Sequence, residues 1–141
     1  MSTISPHMFL QPDGWMPAKG YANGVLAEGK MLFTGGLVGW NAEQQFEHED
    51  MVGQFAQTLR NIVAVLEAGG AKPEHLVRLT WYITDKQAYL QNLRAFGQHY
   101  REIIGRHFPA MAVVQVTALM EDAAMIEIEA TAVVPAEAPQ A

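Results

Sequence analysis

Residues 108–134, FPAMAVVQVTALMEDAAMIEIEATAVV, hold two runs of period-two alternation, 110–118 and 124–134, joined by a short acidic connection. Val, Ile and Thr dominate both runs, the residue types that suit a pleated, half-buried surface. In the first run Met111, Val113, Gln115 and Thr117 project one way. In the second, Met125, Glu127, Glu129 and Thr131 share one face, while Ile126, Ile128, Ala130 and Ala132 take the other. The pattern predicts an antiparallel hairpin with one apolar face on a core. Its second face sets carboxylates beside apolar neighbours. That face is wet, or it lines a pocket or a subunit interface.

Working outward, the segment just upstream reads as a helix opened by Thr84 with Gln87 and running to about Ile104. Leu90, Leu93, Phe96, Tyr100 and Ile103 form its apolar stripe, and Gly105 ends it. Before it, Leu76 to Thr84 alternates as a strand. Residues 48–68 are the clearest helix: Val52, Phe55, Leu59, Ile62 and Leu66 recur at spacings of three and four. Gly69-Gly70 offers a left-handed cap and Pro73 forbids continuation. Further back, Ala22–Glu28 and Met31–Gly35 predict a strand pair turning at Gly29-Lys30. Trp40 to Phe46 reads as a loop. Residues 1–20, with prolines at 6, 12 and 17, predict an irregular arm, and 135–141 a mobile tail, which leaves 21–134 as the folded domain. The order is β-β-α-β-α-β-β: a mixed sheet with two helices on one face. The bare face of such a sheet calls for a partner, and a closed homo-oligomer is the economical solution.

Composition narrows the function. A chain of 141 residues suits one domain with a full core, and 50% hydrophobic against 17% charged residues is a globular balance. The net charge of −6 and nine scattered Lys and Arg residues supply no basic stripe, so nucleic acid is excluded as a partner class. No cysteine is present, which removes disulfides, thiolate catalysis and Cys-zinc sites. The N-terminus shows no basic region followed by an apolar run, and no apolar run is long enough for a bilayer, so the expectation is a cytoplasmic protein with no membrane partner.

The chemistry-bearing residues are few. His7, His48, His75, His99 and His107 form neither HxH nor HExxH, so no metal is expected. His48-Glu49-Asp50 reads as a solvated helix start. Gly35, Gly36 and Gly39 make no dinucleotide fingerprint, and no GxSxG or phosphate loop is present. Two features keep a double reading. Glu127 and Glu129 lie two apart on a strand and project together: they are solvated or salt-bridged, or one holds a water in a pocket as a general base. Thr34 ends a strand beside two glycines: it is a plain strand residue, or its hydroxyl aims into a cleft.

Four segments together resemble the RidA (YjgF-like) family: Gly29-Lys30-Met31-Leu32-Phe33-Thr34-Gly35-Gly36; Gln54, Gln57 and Asn61 with Val65 to Gly69; Val77 to Asp85; and Phe108-Pro109-Ala110 with Ile126 to Ala130. The match spans about residues 20–134 in order and spacing. The resemblance implies an α+β, chorismate-mutase-like fold and a homotrimer with three clefts between subunits. It also implies cofactor-free hydrolysis of reactive enamines and imines to 2-keto acids and ammonia. In that family an Arg clamps the substrate carboxylate, while a Glu and a Ser or Thr position water.

Carried over residue by residue, the resemblance makes Glu127 and Thr34 the catalytic pair. It places Tyr21, Gly35, Gly97, Met111 and Val113 around the ligand. The clamp Arg should follow Pro109-Ala110, and Met111 stands there instead. Val113 replaces a frequent Cys, and Gly97 falls where the family has a pocket Asn. A hydrogen bond to a charged group contributes about 1.5–3 kcal/mol, whereas Met offers apolar contact alone. The expected ligand is a small molecule more apolar or less charged than a simple 2-imino acid, unless Arg78 or Lys19 supplies the cation. The alternative expectation is a non-catalytic trimer that binds a metabolite or a partner protein.

Overall fold

The computed structural model describes residues 5–136; residues 1–4, and the part of the expected tail from 137 to 141, lie outside the described residues. The centre of the sheet is β7 (Ile126–Val134). On one side it pairs antiparallel with β5 (Leu76–Ile83), and on the other with β3 (Lys30–Phe33) and β4 (Leu37–Val38). The strand β6 (Ala110–Gln115) lies outside β5 and runs parallel to it, giving the order β3-β7-β5-β6. The sheet is therefore mixed, as expected.

The 108–134 stretch supplies two strands, but not a hairpin. β5 lies between β6 and β7, and residues 116–125 carry the chain past it. Alternation specifies which face of a strand is buried, not which strand lies beside it. A tight hairpin also needs a loop of about two to five residues. The expected pair at Gly29-Lys30 fails for a similar reason. β2 (Gly24–Leu26) pairs with β1 (Met8–Leu10), so the arm is not wholly irregular, and β3 leaves to join β7. Gly29 serves a close approach between backbones: it has φ 147°, and a Cβ there would stand 2.1 Å from the Val134 carbonyl oxygen.

Helix α1 (Met51–Ala68) starts at Asp50, whose carboxylate accepts from the Gly53 N–H, and ends at Gly69 with Gly70 in the left-handed region at φ 76°. The second predicted helix is divided. α2 (Lys86–Leu90) and α3 (Leu93–Ile103) meet at Gln91-Asn92. Asp85, not Thr84, caps α2 by accepting from the Ala88 N–H, while the Thr84 hydroxyl donates to Met125 O at 3.3 Å. The break explains the failed part of the stripe: Leu90 and Leu93 are 44% and 49% exposed, while Phe96 and Tyr100 are buried.

The core lies between the helices and one sheet face. Phe55, Leu59, Ile62 and Leu66 of α1 are fully buried against Leu76, Leu79 and Ile83 of β5 and Ile126 and Ile128 of β7. Each such side chain contributes about 1.5–3 kcal/mol of burial. Trp81 extends this core into an aromatic cluster with Phe55, Tyr89, Phe96 and Tyr100. Gln54 ties the connection before β7 to α1: its amide donates to His48 O and Ala123 O, and its carbonyl accepts from the Met125 N–H.

The opposite face carries Glu127, Tyr82 and Val114 in one cross-strand row, and Glu129, Thr80 and Ala112 in the next. Met31 and Phe33 on β3 stay 62% and 66% exposed. Among the described residues, no helix is long and apolar enough to cross a membrane.

Candidate functional site

The expected site residues fall into two groups. Thr34 extends β3 by one ladder bond, its N–H donating to Ala130 O at 2.9 Å. Its hydroxyl then takes the place of a carbonyl, accepting from the Ala130 N–H at 2.9 Å and donating to Gly35 O at 2.8 Å. One oxygen lone pair is left for a further donor. After Thr34, the Gly35-Gly36 step shifts the chain from β3 to β4, which pairs Val38 with Glu127. The missing side chain at Gly36 makes room for the Glu127 carboxylate.

Beside Thr34, a cavity of about 210 Å³ is lined also by Phe33, Arg78, Thr80, Glu129 and Thr131. Glu127 is not in its wall. Arg78 makes no salt bridge among the described residues. Glu129 is engaged: it accepts from the Tyr82 hydroxyl at 2.7 Å, and that bond is the first cause holding the Tyr82 phenol above its ordinary pKa.

The second group lies at the β6 edge. Tyr21, Met111 and Val113 line a cavity of about 340 Å³ with Lys19, Gly20, Trp81 and Tyr89. The Ala22 N–H donates to Pro109 O at 3.0 Å, which brings the end of the arm to the start of β6. Gly97 borders a second cavity of about 160 Å³ with Leu93 and Phe108; this one shares Gly20, Trp81, Tyr89 and Met111 with the first. A Cβ on Gly97 would stand 3.0 Å from Arg101 Nη1. The Arg101 side chain thus leans back along α3 over the glycine, as helical side chains do.

Register separates the groups. Met111 pairs with Leu79 and Val113 with Trp81, both on the helix side of the sheet, whereas Glu127 pairs with Tyr82 on the bare side. Within one chain the fold gathers Tyr21, Met111, Val113 and Gly97 around adjoining cavities, and keeps Thr34, Gly35 and Glu127 apart from them. Sequence reading missed Tyr89, Leu93 and Trp81 as cavity walls. Trp81 is indeed buried, yet its indole N–H has no acceptor among the described residues. A tryptophan with Gly20 and Met111 as neighbours could be recognised only in three dimensions.

The lower pKa of buried His107 has a local cause. Desolvation dominates, partly opposed by the 2.7 Å contact between its Nε2 and Leu76 O. This histidine is structural: Tyr100 donates to its backbone carbonyl at 2.6 Å, and burial raises the Tyr100 phenol.

Comparison with known proteins places the fold. The family model described as Endoribonuclease L-PSP matches residues 13–134. A RutC family protein of Aquifex aeolicus is 31% identical over 122 residues, covering 86% of this chain and 94% of the relative. A 2-iminobutanoate/2-iminopropanoate deaminase of Salmonella typhimurium is 32% identical over 108 residues, covering 74% and 80%. The crystal structure of YyfB, a Rid-family protein of unknown function from Yersinia pestis, superposes with TM-score 0.81 at 31% identity, covering 91% and 98%. With most of its length matched by the family model and by relatives at this identity, the chain belongs to the Endoribonuclease L-PSP family, the RidA (YjgF-like) proteins that its motifs resemble.

Proposed function

We propose that this chain is a cofactor-free hydrolase of small imines or enamines, working in clefts between the copies of a homotrimer. The observation that carries the reading is the division of its site between two sides of one sheet. Glu127 and Thr34 stand at the bare face, and Tyr21, Met111 and Val113 stand at the β6 edge on the helix side. A second copy, covering Met31, Phe33 and Val114 on the bare face, is the simplest way to bring its own edge group to Glu127. The deaminase name of the Salmonella relative supports the reaction class.

The chemistry follows from the residues. A water held by Glu127 and by the free lone pair of Thr34 attacks the C=N carbon. Glu127 takes a proton from that water and returns it to nitrogen. The carbinolamine then collapses to a C=O group and ammonia, so one water is consumed and no electrons are exchanged. Met111 offers an apolar wall where the family has a cation, so the ligand places an apolar part there.

Ammonia release from a panel of aliphatic, aromatic and uncharged imines tests the reading. Glu127→Gln should lower the rate at least about a hundredfold, the scale of general acid–base catalysis. Equal, background-level release by wild type and variant across the panel refutes it. A particle of one chain mass, 15.6 kDa, instead of three refutes the shared cleft.

A second reading, a trimer that binds a metabolite or partner without turnover, draws on the Thr34 hydroxyl proton being engaged by Gly35 O. Thermal stabilisation by a ligand that is recovered unchanged would favour it.

A further inference from the structure

We infer that residues 5–26 form a strap that closes the edge cavity at neutral pH and lets go in acid, with His7, His75 and His107 as the switch. The inference concerns closure alone and holds whether or not the site turns over an imine.

The strap is an antiparallel ribbon, Met8–Leu10 against Gly24–Leu26, and the loop between its strands carries Lys19, Gly20 and Tyr21 into the cavity wall. That loop is tied to its own ribbon. The Gln11 amide donates to Trp15 O and Met16 O, and the Asn23 amide donates to Gln11 Oε1 at 2.9 Å. Together they grip residues 107–110 at both ends. Phe9 packs on His107 with ring centroids 5.4 Å apart, while the Ala22 N–H donates to Pro109 O at 3.0 Å and Ala22 bridges to Ala110. The hold is slight: Met8 and Leu26 on the ribbon stay 60% and 61% exposed. A segment with so little buried apolar surface opens at low free energy, well before the core.

Three histidines meet where the strap is held. Leu76 and Ala132 pair on β5 and β7. His107 Nε2 lies 2.7 Å from Leu76 O, and His7 Nε2 lies 2.7 Å from Val133 O, one residue beyond Ala132. A carbonyl only accepts, so each ring donates through Nε2 and takes a further proton at Nδ1. His75, next to Leu76, uses Nδ1 to accept from the Lys72 N–H at 3.0 Å, and protonation there breaks that bond. The other charged groups at this corner are Glu74 and Lys72 on the turn before β5, and Glu28, which borders a groove with His7. Arg106 adjoins His107 in the chain. Ser5 ties the strap to the same turn, its hydroxyl donating to Glu74 O at 3.1 Å.

Linkage gives the direction. With the strap seated, His107 is 2% exposed, and desolvation holds its pKa below 6.5, partly opposed by the Leu76 carbonyl and Glu74. His7 and His75 add to the lowering. With Phe9 lifted away, the ring meets water and recovers its ordinary value. The released state therefore binds more protons than the seated one. Closure is full above the ordinary value of 6.5 and is lost as pH falls from there toward the seated pKa.

Amide hydrogen exchange on the full-length protein between about pH 7.5 and 5.5, corrected for intrinsic rates, tests this. The opening constant at the Ala22 amide should rise toward acid by up to about tenfold per pH unit for each proton taken up, while Leu59 and Ile62 in α1 stay protected. His7→Gln and His107→Gln keep a donor for Val133 O and Leu76 O but cannot charge. Each should shrink the rise, and the two together should remove most of it. Should His107→Gln not fold, His7→Gln on the ribbon decides, beside the wild-type His107 ring signals, which should titrate in step with Ala22 opening. One corrected Ala22 rate across the range overturns the inference. So does a rise shared equally by Leu59, which marks unfolding of the whole chain, or a full rise in His7→Gln. Absence of ammonia release leaves the strap standing, and a strap that stays shut in acid leaves the hydrolase reading standing.

Discussion

A Cβ added to Gly36 would stand 2.6 Å from Oε2 of Glu127, so the glycine and the carboxylate occupy one small space. The nearest atoms are the far end of a flexible side chain, and Gly36 does not need a left-handed backbone. Gly36→Ala should therefore swing the carboxylate aside with less than about 1 kcal/mol lost in stability, within the range of mild substitutions. Ammonia release should nonetheless fall toward the level of Glu127→Gln. Unfolding curves and activity on one preparation check both halves.

Gly39 makes the opposite kind of contact. A Cβ there would meet Gln54 O at 2.4 Å and Gln54 Cα at 2.8 Å, both within the backbone of α1. Gln54 is itself fixed through three hydrogen bonds. Gly39→Ala should cost about 1–3 kcal/mol as overpacking, seen as a lower urea midpoint with an unchanged slope.

Met111→Arg places a cation in the wall of the edge cavity. It should raise ammonia release from small aliphatic 2-imino acids such as 2-aminoacrylate by about tenfold or more, the effect of a charge-assisted hydrogen bond. Lys19 borders the same cavity, so the new charge is introduced beside a like one. The gain should be larger in the Lys19→Met background. Steady-state kinetics on the four variants of this cycle measures the coupling.

Acid should destabilise the fold through His107. Burial is the first cause lowering its pKa below 6.5, and His75 shifts the same way for the same reason. A group with a depressed histidine pKa binds more protons when unfolded. Stability is thus full above the unfolded value and falls as pH drops through it toward the folded pKa. Melting temperatures between about pH 7.5 and 5 should show this loss, and His107→Gln should flatten it. A slope unchanged by the substitution would assign the loss to other groups.

Much of the fold was legible because periodicity records burial. Phe55, Leu59, Ile62 and Leu66 at helical spacing, and Ile126 and Ile128 at strand spacing, are fully buried where those spacings place them. The Gly69-Gly70 stop of α1 was legible for a related reason, since caps satisfy backbone groups locally, whereas the helix begins at Met51 behind an Asp50 cap and not at His48. Pairing was not. β5 separates β6 from β7, and β1 rather than β3 accompanies β2. Strand partners are settled by long-range hydrogen bonds that leave little local trace.

By itself, then, the sequence determined the longer strands and helices, most of their buried faces and the family, because each is written in local side-chain chemistry and order. Tertiary structure alone decided that Glu127 and Met111 face opposite sides of the sheet, that Lys19 rather than Arg78 accompanies Met111, and that the Trp81 N–H has no acceptor among the described residues. Those facts depend on register and on which distant segments meet, and a one-residue slip in register would reverse the faces.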